Sequence, residues 1–396
     1  MRIGLITGEY PPMQGGVGDY TRELARAMVG LGHEVFVLTS TKAQQTQGEA
    51  GIHVQATVDG WGRWGKHNGP RGEAQAVRWV KDNRLDVVNI QYQAAAYQMH
   101  AAANDLPRTL RPLVPVFTTF HDLMVPYLFP KAGPLRKRAV YQMARHSSGV
   151  IVTNIADERE LQAVGEMPPV VQIPIGSNIA VAPPQGYSRE AWRERMRLPA
   201  HIFLVGYFGF INATKGVDTL AHAVRLFAEK EPAIELVVIG GGAGDSDQTN
   251  VQQLDEAERL IGGLGINRRV HWTGFVAPSE VSAYLMACDV VALPFKDGVS
   301  FRRGTLMAAL AHGCPIVTTL PTQPIPELVD GGALRMVEAN NPQQLCDVLW
   351  ELARDSAQRQ RLGQAAAYLS QQFRWETIAS EVSAFMAGFA ASPESG

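Results

Sequence analysis

The chain predicts an α/β fold: two doubly wound parallel-sheet domains facing across a cleft. Three observations predict it. Short apolar runs alternate with helix-length stretches along most of the 396 residues. Several of the runs, such as Val290-Val291-Ala292-Leu293, are continuously apolar, as strands buried on both faces are. The alternation pauses once, at Pro183-Pro184-Gln185-Gly186 and the polar stretch after it, which reads as a linker between two sets of similar size. A chain of this length suits two domains, here 1–180 and 181–374, with a tail 375–396 and a hinge near 175–200.

In chain order, the first strand covers 2–7. A glycine-rich loop follows, with Gly15-Gly16-Val17-Gly18, then a helix from about 19 to 31 ended by Gly32. The second strand covers 35–38. Its loop spacing is not G-x-G-x-x-G, and the second strand ends in Thr39-Ser40 rather than an acid, so a nicotinamide dinucleotide site is not expected. Strand 52–57, helix 72–82, strand 86–90, helix 95–104, strand 114–119, helix 134–146, strand 149–153, helix 156–164 and strand 170–173 complete the first set. The second set runs strand 202–208, helix 216–229, strand 235–239, helix 250–263, strand 269–272, helix 279–287, strand 289–293, helix 304–312 and strand 314–318. Helices at about 342–353, 356–371 and 376–390 form the tail.

Composition narrows the function classes. Hydrophobic residues make up 46% of the chain, enough for buried cores, and 38 glycines with 24 prolines suit many short loops. The formal net charge of −2 gives no footprint for nucleic acid. Cys288, Cys314 and Cys346 stand apart, without disulfide or metal spacing. No run of about 18 apolar residues would span a membrane, and the strand-like start is too short for a signal peptide. A cytoplasmic protein without a metal or other cofactor is the expectation.

The residues that could carry chemistry gather at strand ends. Asp297, Ser300, Arg302, Arg303, Gly304 and Thr305 follow one strand and open a helix. Unpaired N–H groups at a helix start, with two guanidiniums beside them, suit a phosphate or diphosphate. Two solvated surface arginines are the competing reading. Asn212 and Lys215 end the first strand of the second set and open the next helix in the same way. Gly241 belongs to another glycine-rich strand end, Ile239-Gly240-Gly241-Gly242. His121-Asp122 lies past a buried strand of the first set, where ligands of open α/β sheets bind and where His can donate to a hydroxyl or move a proton. Gln91 and Tyr92 end the preceding strand. From Leu123 to Ala156 there is no acid, but Tyr127, Lys131, Arg136, Lys137, Arg138 and Arg145 occur. That stretch suits an anionic, lipid-linked acceptor or the anionic inner face of a membrane; a solvated helix face is the alternative.

Taken together, the motifs resemble the family 4 glycosyltransferases over nearly the whole chain. The resemblance rests on Glu9-Tyr10-Pro11-Pro12 with Gly15-Gly16, Gly32-His33-Glu34-Val35, His121-Asp122, Lys215-Gly216 and Gly274-Phe275-Val276. It continues through Ala309-Leu310-Ala311-His312-Gly313-Cys314-Pro315, Ile325-Pro326-Glu327 and Trp375-Glu376. It implies the GT-B architecture of two Rossmann-like domains around a cleft, and transfer of a sugar from a nucleotide donor with retention of configuration. Polysaccharide, cell-envelope or glycolipid synthesis is the expected setting. By the resemblance the first domain takes a carbohydrate or lipid-linked acceptor, through Gln91, Tyr92, Tyr127, Lys131 and Arg136. The second holds the nucleotide sugar through Asn212, Lys215, Gly241, Val276, Asp297, Ser300, Arg302, Arg303, Gly304 and Thr305. Gly15 and Gly16 let the backbone approach the diphosphate, and His121 with Asp122 acts at the donor sugar.

The family usually carries two glutamates eight positions apart before the A-x-G-x-P segment. Anchoring on Gly313 and Pro315 puts Ser300 and Ala308 at those positions, so both are replaced. The usual Arg before Lys-Gly is also missing, with Phe210 nearest its place. Asp297 or Ser300 is the substitute for sugar contact, and Arg302 or Arg303 for the lost charge. A nucleotide-sugar epimerase or phosphorylase of the same architecture, or a catalytically weak nucleotide-binding relative, are the other readings.

Overall fold

The computed structural model describes residues 1–13, 15–44, 48–61, 72–123, 133–230, 233–240 and 248–389. The chain divides into two units, Met1–Gly176 with Arg374–Gly396, and Ser177–Phe373.

The first unit begins with β1 (Arg2–Thr7), α1 (Gly16–Gly30), β2 (Glu34–Ser40), β3 (Ile52–Val58), α2 (Gly72–Asp82) and β4 (Val87–Tyr92). It goes on through α3 (Leu106–Leu110), β5 (Val116–Phe120), α4 (Gly133–His146), β6 (Gly149–Val152), α5 (Ile155–Ala163) and β7 (Val170–Gln172). Its seven strands lie in the order β3-β2-β1-β4-β5-β6-β7, all parallel. The order reverses between β1 and β4, the place where open sheets leave a crevice at the carboxyl edge. α1 buries Val17, Tyr20, Leu24 and Met28, a helical stripe at spacings of three and four. It ends at Gly32, whose φ of +84° closes the turn without strain.

The second unit contains α6 (Arg189–Arg195), β8 (Phe203–Gly209), α7 (Val217–Lys230), β9 (Ile234–Gly240), α8 (Gln248–Gly263), β10 (Val270–Trp272) and α9 (Pro278–Ala287). Then come β11 (Val290–Leu293), α10 (Gly304–Ala311), β12 (Ile316–Thr319), β13 (Arg335–Val337), α11 (Pro342–Arg354) and α12 (Ser356–Leu369). The order is β10-β9-β8-β11-β12-β13, again parallel, reversing between β8 and β11. The last helix, α13 (Trp375–Ala387), belongs to the first unit. It buries Ile378, Ala379, Val382 and Met386 in the core that α1 shares with β1, β2 and β4.

Three expectations need correction. No continuous helix spans 95–104: hydrogen-bonded turns from Gln98 to Ala95 and Met99 to Ala94 lead into a 3-10 turn at Ala101–Asp105, then α3. Tyr97 is the reason. It is fully buried and donates from its hydroxyl to Ile6 O at 3.1 Å, so tertiary packing overrides the helical preference of an alanine-rich run. The expected linker after Gly186 contains α6, capped by Ser188 Oγ accepting from Ala191 N and anchored by buried Trp192 and Arg193. Finally α1 starts at Gly16 rather than near 19. The Glu9 carboxylate supplies the cap that the glycines cannot: Oε1 accepts from Val17 N at 3.0 Å and Gly18 N at 3.2 Å.

Candidate functional site

At the second unit's switch point, the loops after β8 and β11 lock together. Gly216, at φ +69°, lies so close to Pro294 that an added Cβ would be 1.9 Å from its carbonyl oxygen. Lys296 N donates to Thr214 O at 2.8 Å. At Gly209, the end of β8, a Cβ would come within 2.7 Å of Thr305 Cγ2. Asn212 shapes the first loop, its Oδ1 accepting from Thr214 N and Oγ1.

This interlock brings two cations to one ring. Lys215 Nζ lies 5.1 Å, and Arg303 Cζ 4.7 Å, from the centroid of fully buried Phe295. Asp297 pairs with Arg303. Burial pushes the Lys215 ammonium down to about 8, the Arg303 guanidinium adds to the fall, and Asp297 opposes it. An arriving anion would relieve both the desolvation and the repulsion. Arg303 also caps α10 without a side-chain hydrogen bond to it. The exposed Gly304 has nothing within 4 Å of an added Cβ, so the helix start is open. Arg302 and Ser300 are half-buried on the same turn, with Ser300 O accepting from Arg303 N at 3.1 Å. Thr305 Oγ1 is buried against β8.

In the first unit, β4 and β5 end in two groupings. Gln91 Oε1 sits 3.0 Å from His121 Nε2, and Tyr20 packs edge-on to the imidazole, centroids 4.6 Å apart. Burial pushes His121 down to about 3, so the ring is neutral near pH 7. The second grouping is a pocket lined by Tyr92, His100, Asn104, Asp122 and Arg136 among others. There Tyr92 Oη accepts from Asn104 Nδ2 at 3.0 Å. At α1 the Glu9 carboxylate fills the position beside Gly15, where a Cβ would lie 2.2 Å from Oε1, whereas Gly16 faces open space.

The structure thus brings Lys215, Arg303, Asp297, Ser300, Arg302, Gly304, Thr305 and Asn212 to one pair of loops, and Tyr92, Asp122 and Arg136 to one pocket. Val276 follows β10, the edge strand of the same sheet. Gln91 is fully buried. An acceptor contact is therefore the wrong role for it, and the side chain turns to His121 instead. Gly241, Tyr127 and Lys131 lie outside the described residues. Sequence reasoning missed Phe295, Asn104 and the capping role of Glu9. A lone Asn after three alanines was the one available signal for Asn104. Nothing in a linear pattern shows that Glu9 reaches a helix eight residues on.

Comparison with known proteins identifies the fold and the family. The fold is GT-B. A sucrose-phosphate synthase from Thermosynechococcus elongatus superposes with a TM-score of 0.77 at 19% identity, over 99% of this chain and 100% of that one. HepE from Anabaena, in complex with UDP and glucose, gives 0.75 at 19%, over 98% and 100%. Residues 14–180 match the model described as Glycosyltransferase Family 4, and residues 202–355 that of Glycosyl transferases group 1. The two stretches together take in most of the chain, which belongs to the family 4 glycosyltransferases. The D-inositol 3-phosphate glycosyltransferase of Corynebacterium diphtheriae is 26% identical over 96% of this chain and 93% of its own length. The Corynebacterium aurimucosum enzyme of that name is 28% identical, but the match spans only 62% of this chain and 58% of that one. A GDP-mannose-dependent alpha-(1-6)-phosphatidylinositol monomannoside mannosyltransferase of Mycobacterium tuberculosis is 24% identical over 98% of both.

Proposed function

We propose that the protein moves a glycosyl group from a nucleotide sugar to a hydroxyl-bearing acceptor, with retention of anomeric configuration. The observation that carries this reading is the convergence of Lys215 and Arg303 over Phe295 at the open start of α10. In the transfer, the bond from the anomeric carbon to the diphosphate breaks and one to the acceptor oxygen forms. The acceptor's proton leaves with the departing phosphate oxygen. Negative charge grows on the diphosphate, and fixed cations with helix N–H groups stabilise it without reorganising. Arg303 supplies the charge missing at Phe210, and Asp297 and Ser300 stand nearest it for sugar contact. No metal or other cofactor has a role here. Neutral His121 serves a sugar hydroxyl, and Asp122 serves the acceptor in the Tyr92 pocket.

The relatives' names favour a polyol or lipid-linked polyol acceptor, and Arg136 offers that pocket a cation for an anionic group. GDP-mannose in one name and UDP in a neighbouring structure leave guanine and uracil nucleotides as the donors to try first. The basic face of α4 supports contact with an anionic membrane surface, at the inner leaflet in this reading.

Calorimetric titration with UDP and GDP tests the donor site. Lys215→Ala and Arg303→Ala should each weaken the nucleoside diphosphate about tenfold or more, since a charge-assisted contact is worth roughly 1.5–3 kcal/mol. The unphosphorylated nucleoside should be unaffected, and Arg302→Ala should matter less. Parent-like binding by both of the first two variants would remove the reading. A second reading, nucleotide binding with little turnover, is favoured by Ala308, a fully buried methyl where a glutamate is usual. Binding without transfer or donor hydrolysis would establish it.

A further inference from the structure

One buried side chain has no part in the chemistry above. Gln91 is fully buried at the carboxyl end of β4, in register with Thr7 on one side and Thr119 on the other. Both neighbouring hydroxyls are committed elsewhere: Thr7 Oγ1 donates to Glu9 O at 2.8 Å, and Thr119 Oγ1 to Asn89 Oδ1 at 2.9 Å. Gln91 alone of the three turns to His121, at 3.0 Å from Nε2. Burying a carboxamide costs free energy unless it is bonded, and the Gln91 Nε2 group finds no partner among the described residues. An apolar side chain would fill this site with less loss. The bond to His121 accounts for an amide being here.

That bond also fixes the proton. A carbonyl oxygen facing Nε2 makes Nε2 the protonated nitrogen of a neutral ring and leaves Nδ1 as an acceptor. The ring cannot easily turn. Its backbone N–H is held by Tyr92 O at 3.0 Å. Tyr20 lies edge-on to it, and Trp375 of α13 packs in turn on Tyr20, centroids 5.1 Å apart. We propose that Gln91 is the positioning residue for His121, holding the imidazole as its Nε2–H tautomer so that Nδ1 accepts a hydrogen bond from a hydroxyl of the transferred glycosyl group. This rests on the glycosyl-transfer reading of the site.

The test uses the full chain with ¹⁵N-labelled histidine and long-range ¹H–¹⁵N correlation spectra, the His121 signals being those lost in His121→Asn. The parent should show His121 as a single Nε2–H tautomer at pH 7. Gln91→Met should give a tautomer mixture and a kcat lower by on the order of 100-fold, the loss a misplaced catalytic group produces. Its affinity for UDP or GDP should be unchanged. Gln91→Glu keeps an acceptor at the same reach and should retain the Nε2–H tautomer and recover part of kcat. An Nδ1–H tautomer in the parent overturns the proposal, as does a Gln91→Met variant with parent tautomer and kcat. If Gln91→Met does not fold, the parent and Gln91→Glu spectra still decide. A parent with the Nε2–H tautomer but no transferase turnover removes the glycosyl-transfer reading while upholding the role of Gln91 in fixing the ring.

Discussion

At the scale of single residues, the interlock of the loops after β8 and β11 depends on one missing methyl group. Gly216 has a left-handed φ of +69°, and a Cβ there would lie 1.9 Å from Pro294 O. The backbone strain of a non-glycine residue in that region is roughly 1–3 kcal/mol, before the clash is counted. Gly216→Ala must push apart the loops that hold Lys215 and Phe295. It should lower the unfolding midpoint of the second unit and weaken nucleoside diphosphate binding by at least about tenfold, the equivalent of 1.4 kcal/mol. Gly304→Ala is the matched control. It opens α10 with nothing within 4 Å of the new Cβ, so stability should hold. Thermal unfolding and calorimetry on the pair settle it: a Gly216→Ala variant that binds as the parent does would mean the interlock does not place Lys215.

At the scale of elements, α4 is the segment whose outer face remains to be accounted for. Leu135 is 71% exposed and stands beside Arg136, Lys137 and Arg138. Lys137 is drawn to Glu160 of α5 at 3.1 Å, which takes part of its charge out of play. A basic helix with an exposed leucine binds an anionic bilayer at about 1 kcal/mol per cation near the surface. Replacing Arg136, Lys137 and Arg138 by Gln should weaken co-sedimentation with anionic vesicles, and raised salt should do the same. Failure of the parent to bind such vesicles would assign α4 to a solvated face. The same scale shows what could be read from the chain alone. Runs such as Val290–Leu293 and the stripe of α1 carry their period in the sequence, so strands and helices stood within a few residues of their observed bounds. Elements set by distant partners did not. Tyr97 breaks the expected helix at 95–104 by reaching Ile6, and α6 is anchored through Arg193 to Asp289, 96 residues on. The arginines after β11 were visible as a charge pattern. That Arg303 meets Lys215 over Phe295 depends on two loops interlocking at a glycine, which no linear spacing encodes.

At the scale of the whole molecule, each unit carries its own parallel sheet, its own switch point and a half-buried histidine. His121 in the first unit is pushed down to about 3 by burial. His312 in the second is lowered by burial, against hydrogen bonds to Ala308 O and Ala180 that raise it. Both bind a proton less tightly when folded than in the unfolded chain, which takes one up near the usual value of 6.5. The unfolded state therefore binds more protons below that value, and stability falls as the pH drops. The contribution is complete above pH 6.5 and is lost progressively towards the folded values. The slope is at most about 1.4 kcal/mol per pH unit for each histidine. Glu9 and Asp19 act in the opposite sense. Burial raises both carboxyls, so the folded state takes up their protons at higher pH than the unfolded chain does, and stability gains as the pH falls from the raised values to the ordinary carboxylate ones. From pH 6.5 downward the histidines, with His33 of the first unit also lowered by burial, reduce stability, and the two carboxyls offset part of that loss. Denaturant unfolding at pH 7.5, 6 and 5 should show a falling midpoint. His121→Gln should reduce that dependence for the first unit, leaving the smaller part that His33 carries, and leave the second unit's share, which His312 carries, in place. Two units with separate cores need not melt as one transition, so probes in each are required; Trp79 reports on the first and Trp350 on the second. A midpoint independent of pH across this window at both tryptophans would mean that neither histidine is held neutral by the fold, and would remove the basis for treating the His121 ring as a neutral hydrogen-bonding group.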